Sequence, residues 1–128
     1  MHENLQPLRI PPQWSLLWNH LRPIEPGDLA EDDPAWLFTF VQDMLYLRKN
    51  SDEQSVAIDL GWYPEGDPQG AYELVTILND DWNNPLLAFT SRSTQEIVET
   101  MEHWLLERIP ISAPIDEPSF RKRYPNKR

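Results

Sequence analysis

The chain contains no cysteine, which excludes disulfides, thiolate metal sites and thiol nucleophiles. Its three histidines, His2, His20 and His103, stand far apart. They form neither HxH nor HExxH, so zinc, which takes three or four His or Cys ligands in most protein sites, is not expected. Four glycines leave little scope for a phosphate-cradling loop, and no glycine-rich run precedes a helix. GxSxG is missing, and with it the commonest signature of serine hydrolysis. The longest apolar run, AWLFTFV at 35–41, falls well short of the roughly 20 residues that a membrane helix needs. The first residues lack the charged-then-apolar pattern of a secretory signal. These absences predict a cytoplasmic protein with no cofactor, no metal and no membrane partner.

Cationic side chains are also scarce, except at one place. The formal net charge is −10, yet no acid follows Glu117, while Arg121, Lys122, Arg123, Lys127 and Arg128 do. Residues 1–118 therefore hold 6 basic against 21 acidic side chains, a net of −15. Such a body repels DNA and RNA, whose binding needs basic contacts to phosphate. It attracts basic proteins and speeds their encounter.

What is present is enough for a fold. A length of 128 residues suits one domain, and 40% hydrophobic content with 14 aromatic residues argues against disorder. Residues 1–12, with three prolines, read as a loosely ordered lead-in. In QWSLLWNHLRPI, Trp14, Leu16, Trp18 and His20 alternate with Ser15, Leu17 and Asn19, predicting a strand that ends at Pro23. EPGDLAEDDP is an acidic loop. Over 35–48, Trp36, Phe40, Met44 and Leu47 fit helical spacing, while MLYLRK favours a strand; a helical turn over 35–40 and a strand over 42–48 are expected. SVAIDLGWY (55–63) and AYELVTILN (71–79) alternate with period two. Asp67-Pro68-Gln69-Gly70 between them has the residues of a type I turn. LLAFT (86–90) is a further short strand.

The helix signal is at the C-terminal side. Ser93-Thr94-Gln95-Glu96 matches a capping box. Ile97, Met101, Trp104, Leu105 and Ile109 then follow at 3.6-residue spacing until Pro110 ends the helix. The links between the strands of 42–90 are too short for helical crossovers. The expectation is therefore an α+β fold. An antiparallel sheet of about five strands carries an amphipathic C-terminal helix on one face, within a single domain over 1–109. Residues 110–128 read as a Pro-rich basic tail.

Two kinds of site compete in DLGWYPEGDPQGAYELVTILNDDW (59–82), which packs six carboxylates among tryptophans and tyrosines. As a catalytic site, Asp59 and Glu73 would form a cross-strand carboxylate pair for general acid/base hydrolysis; their strand positions instead favour an exposed, solvated sheet face. As a calcium site, Glu65, Asp67, Asp80 and Asp81 lack the alternating ligand spacing. As a protein-binding surface, aromatics beside carboxylates match interface composition. The expected contacts are Glu65, Asp67, Asp80, Asp81 and Trp82, joined by Asp28, Glu31, Asp32 and Asp33. Exposed tryptophans would also suit a sugar-binding or accessory domain.

IDLGWY, a following strand into NDDW, a short strand and the helix EIVETMEHWL together resemble small acidic immunity proteins of bacterial polymorphic-toxin and contact-dependent inhibition systems. Ile58, Asp59, Leu60, Asp81, Trp82 and Trp104 carry the likeness, which spans roughly residues 42–107. The resemblance implies a binding protein, not an enzyme. It would occlude the active site of a cognate basic toxin domain, with a nuclease as the expected class.

Overall fold

The computed structural model describes residues 4–50 and 54–106 of the 128. Five strands, β1 (Ser15–Asn19), β2 (Leu45–Asn50), β3 (Ser55–Tyr63), β4 (Ala71–Leu78) and β5 (Leu87–Ser91), form one antiparallel sheet in chain order. A short helix α1 (Ala35–Phe38) precedes β2, and α2 (Thr94–Leu106) follows β5 and packs on β4 and β5. The expected α+β fold with a C-terminal helix on the sheet is the observed one. The C-terminal end of the predicted helix and the basic tail lie outside the described residues.

The sheet faces sort by alternation. Val56, Ile58, Leu60 and Trp62 of β3 share one face with Tyr72 and Leu74 of β4. Ile97, Met101 and Leu105 of α2 close over them. Each such side chain, moved from water to a packed interior, contributes about 1.5–3 kcal/mol. At one end of this face Trp36, Phe40, Trp62 and Tyr72 form an aromatic cluster with centroid separations of 4.7–6.0 Å.

The start of α2 is fixed from a distance. Ser93 Oγ accepts from the amide of Glu96 at 3.1 Å, the first half of the expected capping box. The reciprocal half is replaced by a relay, in which Ser93 N donates to Ser91 Oγ at 2.9 Å and Ser91 Oγ donates to Glu96 Oε1 at 2.5 Å. The next two amides, Thr94 N and Gln95 N, donate to the carboxylate of Glu25 at 2.8 and 2.9 Å. A carboxylate there satisfies helix-end donors and complements the helix dipole.

Three local expectations change. β2 begins at Leu45 rather than 42, because Val41–Met44 run beside β3 irregularly, with Met44 N donating to Leu60 O and Trp62 N to Val41 O. Gly61 permits this: any Cβ there would strike the carbonyl of Gln42. β1 does not hold a strict inward/outward alternation. Its register slips between Leu16 and Trp18, so Leu16, Leu17 and Trp18 are all exposed at the sheet edge. Residues 4–12, expected as a loose lead-in, are anchored by Gln6 N to Leu21 O and Arg9 N to Glu102 Oε2, with Leu8 and Ile10 against the core.

Candidate partner-binding surface

The surface begins with a helix too short for its apolar content. Asp33 Oδ1 accepts from Ala35 N at 2.8 Å and starts α1. Trp36 turns inward, its Nε1 donating to Ala30 O at 2.8 Å. Phe40, four residues on, packs beside it at 4.7 Å. Positions i and i+4 share one side of a helical turn, so the intervening Leu37 and Phe38 face solvent, 69% and 71% exposed. Trp18 is linked to them through His20: it is 50% exposed and its ring stacks with His20 at 6.3 Å. His20 Nε2 donates to Phe38 O at 2.8 Å. A carbonyl can only accept, so this nitrogen carries the proton. Trp18 Nε1 donates to Asp43 O at 2.6 Å, fixing the indole.

Acidic loops adjoin this apolar group. Loop 64–70 is strapped to the α1 region by Gly66 N to Phe40 O and by Gln42 N to Glu65 Oε1, both 2.8 Å. The expected type I turn is present, with Gly70 N to Asp67 O at 2.9 Å and Gln69 N to Asp67 Oδ1 at 2.8 Å. Gln69 Nε2 donates to Glu31 Oε2 at 2.9 Å, which joins the 28–33 loop to the 64–70 loop. Glu31, Asp32, Asp33, Glu65 and Asp67 therefore belong to two linked loops at one end of the sheet. Asp28, at the end of a 3₁₀ turn over Pro26–Asp28, is on the same loop as Glu31.

Asp80, Asp81 and Trp82 do not join them. β4 separates the two groups by its eight residues, about 25 Å at roughly 3.3 Å per residue. Arg48 grips Asp80 through both carboxylate oxygens at 2.9 and 3.0 Å. That ion pair holds the Asp80 carboxyl below the usual carboxylate range and raises the Arg48 guanidinium. Arg48 Nη1 also donates to the Tyr46 hydroxyl at 2.8 Å, and Tyr46 stacks on Trp82 at 6.5 Å. Trp82 is only 9% exposed. Of the other aromatics of the hairpin, Trp62 and Tyr72 are wholly buried and Tyr63 is half-buried.

Asp59 and Glu73 occupy the second face of the sheet, but that face is not open to water as expected. Asp59 is 0% and Glu73 7% exposed. Ala57, Val75, Ile77 and Trp82 form a second packed cluster there, with Tyr46 and Tyr63 against it. The register sets Asp59 opposite Val75 and Glu73 opposite Gly61, so the two acids are diagonal neighbours, at positions about 7–8 Å apart. A cleft of about 400 Å³ reaches Glu73 but not Asp59. A substrate there would meet one carboxylate of the pair, whereas paired acid/base chemistry needs both. Among the described residues no group of three or more His, Asp or Glu is placed to hold a metal ion, and no helix is long and apolar enough to cross a membrane.

The chain matches no known family model, no curated protein and no solved structure.

Proposed function

We propose that this chain is an immunity-type binding protein of the cytoplasm that neutralises a basic toxin domain, of the nuclease class, by covering its active site. The observation that carries this reading is the exposure of Leu37, Phe38 and Trp18 beside the acidic loops of Glu31–Asp33 and Glu65–Asp67. Specific interfaces place apolar and aromatic side chains centrally within a polar rim, and a few of these anchors supply most of the affinity. The acidic loops would meet the phosphate-binding cleft of a nuclease and raise the encounter rate. The likeness of IDLGWY, NDDW and EIVETMEHWL to immunity proteins points the same way. The expected contact set keeps Asp28, Glu31, Asp32, Asp33, Glu65 and Asp67, adds Trp18, Leu37 and Phe38, and gives Asp80, Asp81 and Trp82 a secondary place.

The test is co-expression with the C-terminal domain of a large secreted protein encoded beside this gene. A domain that is lethal alone, harmless together, and co-purifies in a tight complex supports the proposal. Rescue should fail with the Leu37→Ser/Phe38→Ser double variant. A domain that stays lethal and never co-elutes with the chain removes the proposal. Association should slow at least about tenfold from low to roughly molar salt; a salt-independent rate would remove the steering role of the acidic loops.

A further inference from the structure

The two edges of the sheet are built differently. Neither β1 (SLLWN) nor β5 (LAFTS) carries a charge or a proline, the residues with which edge strands commonly keep other strands away. β5 has other cover: Leu87, Ala88 and Phe89 are half-buried, and α2 packs against the strand. β1 is open. Leu16, Leu17 and Trp18 are 42%, 57% and 50% exposed in succession. The slip in register between Leu16 and Trp18 leaves Leu17 without a partner on β2. Among the described residues β1 has a neighbouring strand on one side only. An edge of this kind presents main-chain donors and acceptors to a further strand.

The polarity of β1 is symmetric about its middle. Three apolar residues centre on Leu17, and Ser15 and Asn19 are the polar ends. Laid antiparallel on a copy of itself, the strand sets Leu17 opposite Leu17, Leu16 opposite Trp18 and Ser15 opposite Asn19, so apolar positions meet apolar ones and polar meet polar. Such a contact is isologous and closes after two chains. Charge also favours this edge as the place where two acidic bodies meet. No charged residue belongs to β1. The lysines and arginines among the described residues are Arg9, Arg22, Arg48, Lys49 and Arg92; Arg48 and Lys49 stand beside β1 on β2, and Arg22 follows its end by three residues. We infer that two copies of this chain pair through β1 about a two-fold axis at Leu17, joining their five-stranded sheets into one continuous sheet. Strands this short bury little area, so the association is reversible and depends on concentration. The inference goes beyond the binding function proposed above, and the chain alone is enough to test it.

The full chain is followed by sedimentation velocity from low micromolar to near-millimolar concentration. A monomer–dimer equilibrium is expected, with no larger species. Leu17→Lys sets two like charges against each other at the axis and should weaken the dimer about tenfold or more. The Leu37→Ser/Phe38→Ser double variant should leave the equilibrium unchanged. Register is read by oxidation. The chain has no cysteine, so a single introduced thiol reports on its own position. Leu17→Cys should yield a disulfide-linked dimer. Ser15→Cys should not link to itself, because the two copies of residue 15 are offset by four residues, about 13 Å at roughly 3.3 Å each, too far to bridge. A mixture of Ser15→Cys and Asn19→Cys chains should form the mixed dimer. Should Leu17→Lys fail to fold, the contrast between Leu17→Cys and Ser15→Cys decides alone. A chain that stays monomeric throughout would overturn the inference and leave the edge to a different protein. So would a dimer that survives Leu17→Lys, a dimer lost with Leu37→Ser/Phe38→Ser, or assembly that continues beyond two chains. No toxin enters these readings, so failure of the immunity function and failure of this contact can be told apart.

Discussion

At its Ala71 end β4 meets loops whose carboxylates are exposed or half-buried, near the exposed Leu37 and Phe38. At its Leu78 end it meets a loop of similar composition, NDDWNN, in a different physical state. There Asp80 is gripped by Arg48, Asn79 Oδ1 accepts from Ser55 N at 2.9 Å, and Trp82 lies flat against Tyr46. Asn79 and Asp80 both take positive φ, 51° and 60°, a conformation in which Asn and Asp are enriched. The same residue types thus build two linked loops beside exposed apolar side chains in one place and an Arg48-held turn in the other. The difference lies in whether a cation and an aromatic partner are within reach on the adjacent strand.

This contrast can be broken most forcefully through the core that supports the Ala71 end. Trp62→Ala removes the centre of the aromatic cluster and should destabilise the fold by about 3–5 kcal/mol in chemical denaturation. A loss below about 1 kcal/mol would mean that the cluster is not the keystone of that end. Phe38→Ala should weaken partner binding by about 2 kcal/mol or more, as a hot-spot anchor does, with an unchanged denaturation midpoint. Trp82→Ala should do the reverse, losing stability while binding is retained. If Trp82→Ala abolished binding in a protein that remained folded, the closed turn would have to be the recognition surface.

Smaller effects sharpen the comparison. Glu25→Ala removes the acceptor of two α2 amides and should cost about 1–2 kcal/mol. Asp80→Asn should cost no more than about 1 kcal/mol, because the Asp80 side of the pair is more than half exposed. Its pH dependence has a definite sign. The folded carboxyl titrates below its unfolded value of about 3.9. Its contribution is therefore present above that pH and disappears as the pH falls through the folded value. Acid unfolding of Asp80→Asn should lack this component. Tyr72 behaves in the opposite sense: burial holds its hydroxyl protonated well above the ordinary tyrosine range, with Thr94 Oγ1 at 2.7 Å. Its contribution is complete below about pH 10 and declines as alkali is added. Tyr72→Phe should flatten that decline.

Strands β3 and β4, the Asp67–Gly70 turn and the opening of α2 could be read from the residues, because alternation, turn chemistry and capping are local. The burial of Asp59 and Glu73 could not. Ala57, Asp59 and Gly61 look like a wet face, and the tertiary approach of Gln42, Tyr46 and Trp82 helps to close it. The edge position of β1 was hidden for a related reason: a one-residue slip cancels the alternation that Trp14, Leu16 and Trp18 advertise. The exposed Leu37–Phe38 pair did leave a signal. AWLFTF holds more large apolar residues than one side of a single turn can bury, and Trp36 with Phe40 already fill it. The loop that holds Asp80, Asp81 and Trp82 carried the same acidic, aromatic signature as a contact surface, and nothing local revealed that Arg48 would reach it.

The clasp of Glu25 on Thr94 and Gln95 has a consequence for the order of assembly. The sheet is a simple meander, in which each hairpin can close soon after its second strand leaves the ribosome. The loop beginning at Glu25 is different, since its anchor lies 69 and 70 residues further along the chain. A nascent chain can hold a nearly finished sheet while its first acidic loop still lacks that anchor. The anchoring of that loop is thereby deferred until the synthesis of α2 has begun.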